Sequence, residues 1–394
     1  MSASGVKSVL MLSQTFYPAI GGSEKQALEI SKALAGRGVK VTVLTRRTGG
    51  LPAEETLEGV AVKRLAVFGP RAVDSALFLV KSFFWLLWNS GKYDAVHVHL
   101  ASSPAVAAVL AGWLTGKKTI VKLGGGRGVD EITLSRKSAL GRLKLAFFRA
   151  ARPELLVMNG EVFDWLKTSK EFSGLKLRLF RNGVDTGRYT PLLYNEKINA
   201  KTALGLDNSA VFLFVGRLSP EKRVKEFLEA WAEVFSDEAA PPKARLLIVG
   251  GGPEEGPLKK AVEVLNLSGS VTLAGPKGDL LPYYRAADVF ILPSISEGLS
   301  NSMLEAMACG VAVMASRVGG AKDAVVPGVS GCLFDPLNKA ELKECLKRHL
   351  ADHSLAVKMG EQARKTAVEK YSMARVADEL MEIYSENGDQ LDNM

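Results

Sequence analysis

The stretch that decides how this chain is interpreted is Glu297-Gly298-Leu299-Ser300-Asn301-Ser302-Met303-Leu304-Glu305. Ser300 and Asn301 are favourable N-cap residues, and a glycine at position 310 is placed to end a short helix. The start of a helix offers free backbone N–H groups and a positive dipole end, which suit a phosphate. The glutamates that begin and end the stretch can each accept hydrogen bonds from sugar hydroxyls. The stretch is therefore predicted to bind a phosphate and two polyols, as in a nucleotide-sugar.

Strands and helices alternate through both halves of the chain, which predicts an α/β fold of two doubly wound parallel sheets. The apolar runs are continuous, as is typical of buried parallel strands. The predicted strands are Ser8–Leu12, Val39–Thr45, Val60–Val67, Tyr93–Val98, Thr119–Leu123, Ala210–Val215, Arg245–Val249, Ser270–Leu273, Val289–Leu292 and Val311–Ala315. The stretch Ser23-Glu24-Lys25-Gln26 is interpreted as a capping box. Residues 186–205 lack periodicity, so the domains are placed at 1–190 and 191–371.

Composition favours a globular two-domain protein of 394 residues, with 47% hydrophobic and 24% charged residues. The three cysteines, Cys309, Cys332 and Cys345, show no zinc-binding spacing. A reduced, cytoplasmic, metal-free protein is expected. The N-terminus enters a strand at once, so no signal peptide is expected.

Charge is unevenly distributed along the chain. Residues 1–190 contain 28 Lys and Arg against 14 Asp and Glu, a net +14, whereas the remainder has a net charge of −5. A basic first half favours contact with an anionic surface, although ordinary solubility combined with donor binding is the alternative. Aromatic residues are not interleaved with this charge, so no nucleic-acid partner is expected.

Six segments occur in the same order as in a known family. One of them is the Glu297–Glu305 stretch. The others are Pro18–Glu24, Asn182–Asp185, Gly216–Lys222, Val249–Glu254 and Gly328–Pro336. Together they resemble the retaining glycosyltransferases of family four, also called glycosyl transferases group 1. The resemblance implies the GT-B fold, in which two Rossmann-like domains face a cleft. It also implies that a terminal helix over about 372–394 packs back on the first domain.

The resemblance assigns roles to individual residues. It implies that Arg217 and Lys222 stabilise the departing phosphate and that Glu297 and His99 contact the donor sugar. The implied donor-binding residues are Gly21, Gly22, Gly216, Gly250, Gly298, Leu299, Ser300, Asn301 and Glu305. The alternatives are ordinary surface charges for the two cations, a helix cap for Glu297, a structural strand histidine for His99 and a simple loop for Gly250.

One segment departs from the family. Where members often have a histidine after a strand, this chain has Lys122, followed by Gly124-Gly125-Gly126-Arg127-Gly128. This Gly-rich basic loop indicates an acceptor-side wall and favours an anionic acceptor. Lys122, Arg127 and Asn182 are therefore candidate acceptor-side residues.

The expected reaction is retaining transfer of a sugar from a nucleoside-diphosphate donor, UDP-linked by family frequency, without a metal. No D-x-D triplet is present to hold one. A glycan or lipid-linked acceptor in surface polysaccharide, lipopolysaccharide or glycolipid biosynthesis is expected. The alternatives are a soluble small acceptor and a non-catalytic nucleotide-sugar or glycan-binding protein. A dinucleotide oxidoreductase and a P-loop kinase are excluded because neither glycine motif is present.

Two segments bear on membrane contact. Ser135–Arg152 holds six basic and no acidic residues, with Leu140, Leu143 and Phe147 on one stripe, and is predicted to be a basic amphipathic helix. Ala76–Trp88 is apolar but too short to span a bilayer, and a buried domain helix is its alternative. The expected location is peripheral, on the inner face of the cytoplasmic membrane.

Overall fold

The backbone divides into two compact units. The computed structural model describes residues 5–19, 21–128, 130–206, 209–236 and 243–386. One unit runs to Gly183 and resumes at Met373, and the other is Val184–Ser372. The boundary predicted after residue 190 therefore moves toward the N-terminus. Residues 184–190 join the second unit, where the Val184 N–H donates to the Tyr371 carbonyl at 2.8 Å.

Eight strands form the sheet of the first unit. They are β1 Ser8–Ser13, β2 Lys40–Arg47, β3 Glu54–Leu57, β4 Val60–Ala66, β5 Ala95–His99, β6 Lys118–Lys122, β7 Glu154–Val157 and β8 Lys176–Leu179. Their order is β3-β4-β2-β1-β5-β6-β7-β8, and only the edge pair β3–β4 is antiparallel. Strands β3, β7 and β8 are not predicted from the sequence, because each has only four residues and contains at least one charged side chain, so none forms a continuous apolar run.

Helices cover both faces of this sheet. They are α1 Gly22–Ala35, α2 Arg71–Trp88, α3 Ser103–Thr115, α4 Glu131–Arg136, α5 Ala139–Ala151 and α6 Gly160–Thr168, with the C-terminal helix Met373–Ser385. Helix α1 and the C-terminal helix pack on the face that carries Val9 and Met11 of β1. Helices α2, α3 and α5 pack on the opposite face, which carries Leu10 and Leu12.

The predicted capping box is wrong. Helix α1 begins at Gly22 with Gly21 as its N-cap, so Ser23 lies inside the helix. Gln26 is buried and holds a distant loop instead. Its amide donates to the Gly183 carbonyl at 2.7 Å and accepts from the Gly183 N–H at 3.1 Å. The Gln26 side-chain amide, which the capping-box pattern assigned to the start of α1, is therefore used in a tertiary contact.

The predicted basic helix is divided at Ser138. The Ser138 hydroxyl accepts from the Gly141 N–H at 3.1 Å and begins α5, after α4 has ended at Arg136. A Cβ at Gly141 would lie 2.0 Å from the Ser135 carbonyl, so the junction needs glycine. Leu145 and Phe148 are buried, whereas Leu140 and Leu143 are 81% and 67% exposed.

The second unit has a six-stranded, fully parallel sheet. Its strands are β9 Ala210–Val215, β10 Ala244–Val249, β11 Val271–Gly275, β12 Val289–Leu292, β13 Ala312–Ser316 and β14 Gly331–Phe334. The order is β11-β10-β9-β12-β13-β14, the 3-2-1-4-5-6 arrangement of dinucleotide-binding sheets. Ligands bind such sheets at the carboxyl ends of the strands where the order reverses, here β9 and β12.

Eight helices surround this sheet within the described ranges. They are α7 Tyr194–Ala203, α8 Val224–Ser236, α9 Glu255–Val264, α10 Leu281–Ala286, α11 Asn301–Ala308, α12 Gly320–Ala324, α13 Lys339–Ala351 and α14 His353–Tyr371; the C-terminal helix of the first unit is therefore α15. The core centres on Phe212, Phe214 and Trp231, where α8 packs on β9.

The expectation of three reduced cysteines is wrong. Cys332 of β14 and Cys345 of α13 form a disulfide with Cα atoms 6.1 Å apart, and Cys309 is a buried free thiol. The packing of α13 beside β14 brings the two sulfurs together, and their spacing in sequence gave no signal of it.

No helix within the described ranges is both long enough and apolar enough to cross a bilayer.

Candidate functional site

The loop after β9 carries the two predicted phosphate-binding cations. Arg217 is exposed, and Lys222 ends a short 3-10 helix, Pro220–Lys222. The Lys222 ammonium forms an ion pair with the Glu297 carboxylate, and the two side chains remain 18% and 15% exposed. Two residues predicted to act on neighbouring parts of a ligand are therefore in direct contact.

Glu297 is held from a second side by a serine that the sequence analysis missed. The Ser294 hydroxyl donates to Glu297 Oε2 at 3.1 Å, the same oxygen that Lys222 contacts. Oε1 has no hydrogen-bond partner among the described residues and can accept from a sugar hydroxyl. The Ile295 N–H also donates to the Glu221 carbonyl at 2.9 Å, which joins the loops after β9 and β12.

Helix α11 begins as predicted. The Ser300 hydroxyl caps it by accepting from the Met303 N–H at 3.3 Å, and Gly310 follows its end with φ of +72°. Gly319 and Gly320, which are not predicted from the sequence, pack on the turn before this helix. A Cβ at Gly319 would lie 1.8 Å from the Glu297 carbonyl, and the Gly320 N–H donates to the Gly298 carbonyl at 2.6 Å. Leu299 is buried against this glycine pair.

The loop after β10, which contains Gly250, packs by backbone contact on the loop after β9 that carries Arg217 and Lys222. A Cβ at Gly250 would lie 1.9 Å from the Gly216 carbonyl, and Gly250 has φ of +144°. The Leu218 N–H donates to the Gly251 carbonyl at 3.0 Å. These two loops can approach only because glycine carries no side chain.

Glu305 lies deeper than its neighbours on α11. It is 4% exposed and lies beside Tyr284 of α10. Burial, with the charge of Glu305 as a further cause, raises the pKa of Tyr284 well above its ordinary value. The tyrosine therefore stays protonated at neutral pH beside the carboxylate.

In the first unit, the N-terminus of α1 is approached by the helix's own carboxylate. Gly21 and Gly22 begin the helix, and a Cβ at Gly21 would lie 2.4 Å from Glu24 Oε2. The Thr15 hydroxyl donates to the same carboxyl group. An anion bound at this helix end would have to displace the Glu24 side chain.

The two histidines of β5 stack on one face of the sheet. Their ring centroids are 4.6 Å apart. His97 contacts the Tyr384 hydroxyl at 2.7 Å, and His99 contacts the Met11 sulfur at 3.4 Å. Burial lowers the pKa of His97 to about 3 and that of His99 well below its ordinary value, so both rings are neutral. Leu100 follows with φ of +80°, a strained backbone for a branched residue.

The acceptor-side candidates do not form one cluster. The Lys122 ammonium donates to Asn182 Oδ1 at 2.6 Å, and both residues are buried. Arg127 is exposed and lies 6.0 Å from the centroid of the Trp165 ring. The Gly-rich loop is held by Glu131, which accepts from the Gly124 N–H at 2.7 Å.

Comparison with known proteins identifies the family. The model for Glycosyltransferase Family 4 matches residues 20–188, and the model for Glycosyl transferases group 1 matches residues 196–366. The chain belongs to glycosyltransferase family four. This family-four enzyme is 27% identical to the D-inositol 3-phosphate glycosyltransferase of Thermobispora bispora, over 93% of this chain and 90% of the relative. It is 26% identical to the N-acetyl-alpha-D-glucosaminyl L-malate synthase of Bacillus anthracis, over 95% of this chain and 96% of the relative.

Solved structures confirm the predicted GT-B fold. HepE from Anabaena, crystallised with UDP, superposes with a TM-score of 0.77 at 20% identity, covering 96% of the family-four enzyme and 99% of HepE. The same protein has been crystallised with UDP-glucose.

Proposed function

We propose that this glycosyltransferase transfers a sugar from a UDP-linked donor, without a metal and with retention of the anomeric configuration. The observation that carries the proposal is the cluster at the switch point of the second unit. Arg217, Lys222 and the start of α11 all follow strands whose carboxyl ends meet where the sheet order reverses. HepE, which has the same fold, binds UDP and UDP-glucose.

The chemistry of the donor end follows from charge. When the bond between the anomeric carbon and the diphosphate oxygen breaks, negative charge grows on the departing phosphate. The Arg217 guanidinium and the Lys222 ammonium stabilise that charge, and the first N–H groups of α11 add donors. Glu297 Oε2 holds the Lys222 ammonium, while Oε1 accepts from the donor sugar. Because a diphosphate is a good leaving group, no protein acid is needed.

The acceptor is proposed to be a glycan or lipid-linked molecule at an anionic membrane. Leu140 and Leu143 of α5 are exposed, and so are the cations Lys137 and Arg142, which are within three positions of Leu140 in the sequence. Apolar side chains flanked by positive charge are complementary to an anionic bilayer surface. This surface is an argument in favour of an acceptor that is delivered from a membrane.

A soluble, small acceptor is the second candidate. The relatives from Thermobispora bispora and Bacillus anthracis are named for inositol 3-phosphate and L-malate, which are small anionic molecules. Their names favour an acceptor of that size.

Release of UDP tests the proposal. The purified protein is incubated with UDP-glucose, UDP-galactose, UDP-N-acetylglucosamine or UDP-glucuronate in excess EDTA, and UDP is measured. We expect UDP release from at least one donor by hydrolysis, and an α-linked product by NMR when an acceptor such as inositol 3-phosphate or L-malate is added and glycosylated. Failure to bind UDP in calorimetry would contradict the proposal, and loss of activity in EDTA would contradict its metal-independent part.

A further inference from the structure

Lys122 is a buried cation at the carboxyl end of β6, one strand away from the switch point of the first unit. The sheet order reverses between β1 and β5, whose last residues, Ser13 and His99, lie opposite each other. Lys122 ends β6 directly opposite His99. The carboxyl ends of parallel strands at such a point are where α/β sheets bind ligands. Lys122 is only 4% exposed there.

The groups around the Lys122 ammonium are neutral. It donates to the Asn182 amide oxygen at 2.6 Å and lies 5.8 Å from the centroid of the Phe180 ring. Among the described residues it forms no ion pair with a carboxylate. His97 and His99 on the adjacent strand are kept neutral by burial, and Tyr384 of α15 keeps its proton for the same reason.

The ammonium is also incompletely bonded. An ammonium carries three N–H donors, and the Asn182 oxygen takes one of them in this structure. On the neighbouring strand, His97 Nε2 and His99 Nδ1 are buried and have no hydrogen-bond partner within the described part of the chain. A buried charge without a counter-charge is unfavourable unless an anion joins it. Burial accordingly lowers the pKa of Lys122 to about 7.

The position of this ammonium is fixed by the segment that follows β8. Asn182 precedes Gly183, which Gln26 of α1 holds through both its N–H and its carbonyl. The amide oxygen of Asn182 is therefore presented to Lys122 by a buried hydrogen-bond network rather than by a free loop. Such a network orients the donors of Lys122 before a ligand arrives.

We propose that Lys122, oriented by Asn182, binds an anionic group of a substrate, either a carboxylate or a phosphate. The anion supplies the counter-charge that no carboxylate among the described residues provides. The inference rests on the proposed function, because it requires a sugar donor and an acceptor. It adds that one of them carries a negative charge in addition to the diphosphate.

Thermal unfolding separates a ligand-binding lysine from a structural one. Lys122→Met removes an uncompensated buried charge, so we expect its unfolding temperature at pH 7 to rise by about 2–4 °C or more. Lys40→Met, at an exposed lysine that begins β2 in the same unit, should leave it unchanged. Asn182→Asp should also raise the unfolding temperature, because it places a carboxylate beside the ammonium. A fall in unfolding temperature for Lys122→Met would overturn the proposal.

Calorimetry then identifies the source of the anion. One arm compares UDP-glucuronate with UDP-glucose, and the other compares inositol 3-phosphate with inositol in the presence of saturating UDP. We expect one of the two comparisons to show a preference for charge. In it, wild type should bind the charged ligand at least about tenfold more tightly than the neutral one, because a hydrogen bond to a charged group contributes a binding free energy of that size. That preference should fall to about unity in Lys122→Met, with UDP affinity unchanged.

Equal affinities in both arms for wild type, or a preference that survives in Lys122→Met, would overturn the inference. Failure of wild type to bind UDP would instead contradict the proposed function. The change in unfolding temperature would still report on Lys122, because it is measured without any ligand.

Discussion

At the residue scale, the Lys222–Glu297 ion pair joins the group proposed to stabilise the leaving phosphate to the group proposed to hold the sugar. We expect Lys222→Ala or Arg217→Ala to lower the turnover number at least about 100-fold, because one lost oxyanion donor typically has that effect. Steady-state measurement of UDP release checks this. Lys225→Ala, which removes an exposed lysine of α8 three positions away, should be near wild type. Near-normal turnover in both Lys222→Ala and Arg217→Ala would contradict the proposal that these two residues stabilise the leaving phosphate.

The two glutamates are expected to affect different parts of the donor. Glu305→Gln should weaken the binding of UDP itself, because the proposed ribose contact is present in both donor and product. Glu297→Gln should leave UDP affinity close to wild type and lower sugar transfer. Calorimetry with UDP and turnover with the sugar donor measure the two effects. An equal loss of UDP affinity in both variants would show that the assignment is wrong.

His97 should make stability depend on pH. Burial lowers its pKa from 6.5 to about 3, so between these values the unfolded chain binds a proton that the folded chain does not. Lowering the pH through this window therefore favours unfolding, by about 1.4 kcal/mol per pH unit from this residue. His97→Gln should lose less unfolding free energy than wild type between pH 6 and pH 4, measured by urea denaturation. Equal losses would contradict a neutral buried imidazole.

At the element scale, the loops after β9 and β10 are held together by glycine. Gly250→Ala would place a Cβ 1.9 Å from the Gly216 carbonyl at a positive φ. We expect a loss of about 1–3 kcal/mol in the free energy of unfolding, together with weaker UDP binding, because the loop that carries Arg217 must move. Gly256→Ala, with open space around its Cβ position, is the matched control. Unchanged stability and affinity in Gly250→Ala would show that the loop adapts without loss.

The division of the basic helix at Ser138 changes which side chains can reach a membrane. Lys144 turns inward and donates to the Ala101 carbonyl at 2.6 Å, so it is not available at the surface as the sequence analysis expected. Lys137 and Arg142 are exposed near Leu140 and Leu143. These four residues define the candidate membrane-contact surface.

At the scale of the whole molecule, net charge and this surface together predict reversible membrane attachment. Wild type should sediment with vesicles containing anionic lipid at low salt, and attachment should weaken as salt screens the attraction. Lys137→Glu with Arg142→Glu should abolish sedimentation and leave UDP release unchanged. Lys40→Glu with Lys92→Glu makes the same charge change at exposed sites elsewhere in the first unit and should retain binding. Failure of wild type to sediment would favour the soluble acceptor.

Elements whose signals are local could be predicted from the sequence alone. Continuous apolar runs predicted the inner strands of both sheets, and Ser300 with Gly310 predicted the limits of α11. Motif order predicted the GT-B fold and the family. These signals are readable because each depends on residues a few positions apart, through hydrogen bonds or packing within one element.

Contacts between side chains that are distant in sequence depend on how the elements pack. Lys222 and Glu297 are 75 residues apart, and Gln26 and Gly183 are 157 apart. Sheet order brings Lys222 and Glu297 together at a switch point. Gln26, which the sequence pattern assigned to a helix cap, instead forms buried hydrogen bonds with Gly183. The lack of a carboxylate partner for Lys122 among the described residues and the Cys332–Cys345 disulfide also depend on tertiary packing. Burial and charge balance depend on every element packed around a group, and local periodicity does not contain that information.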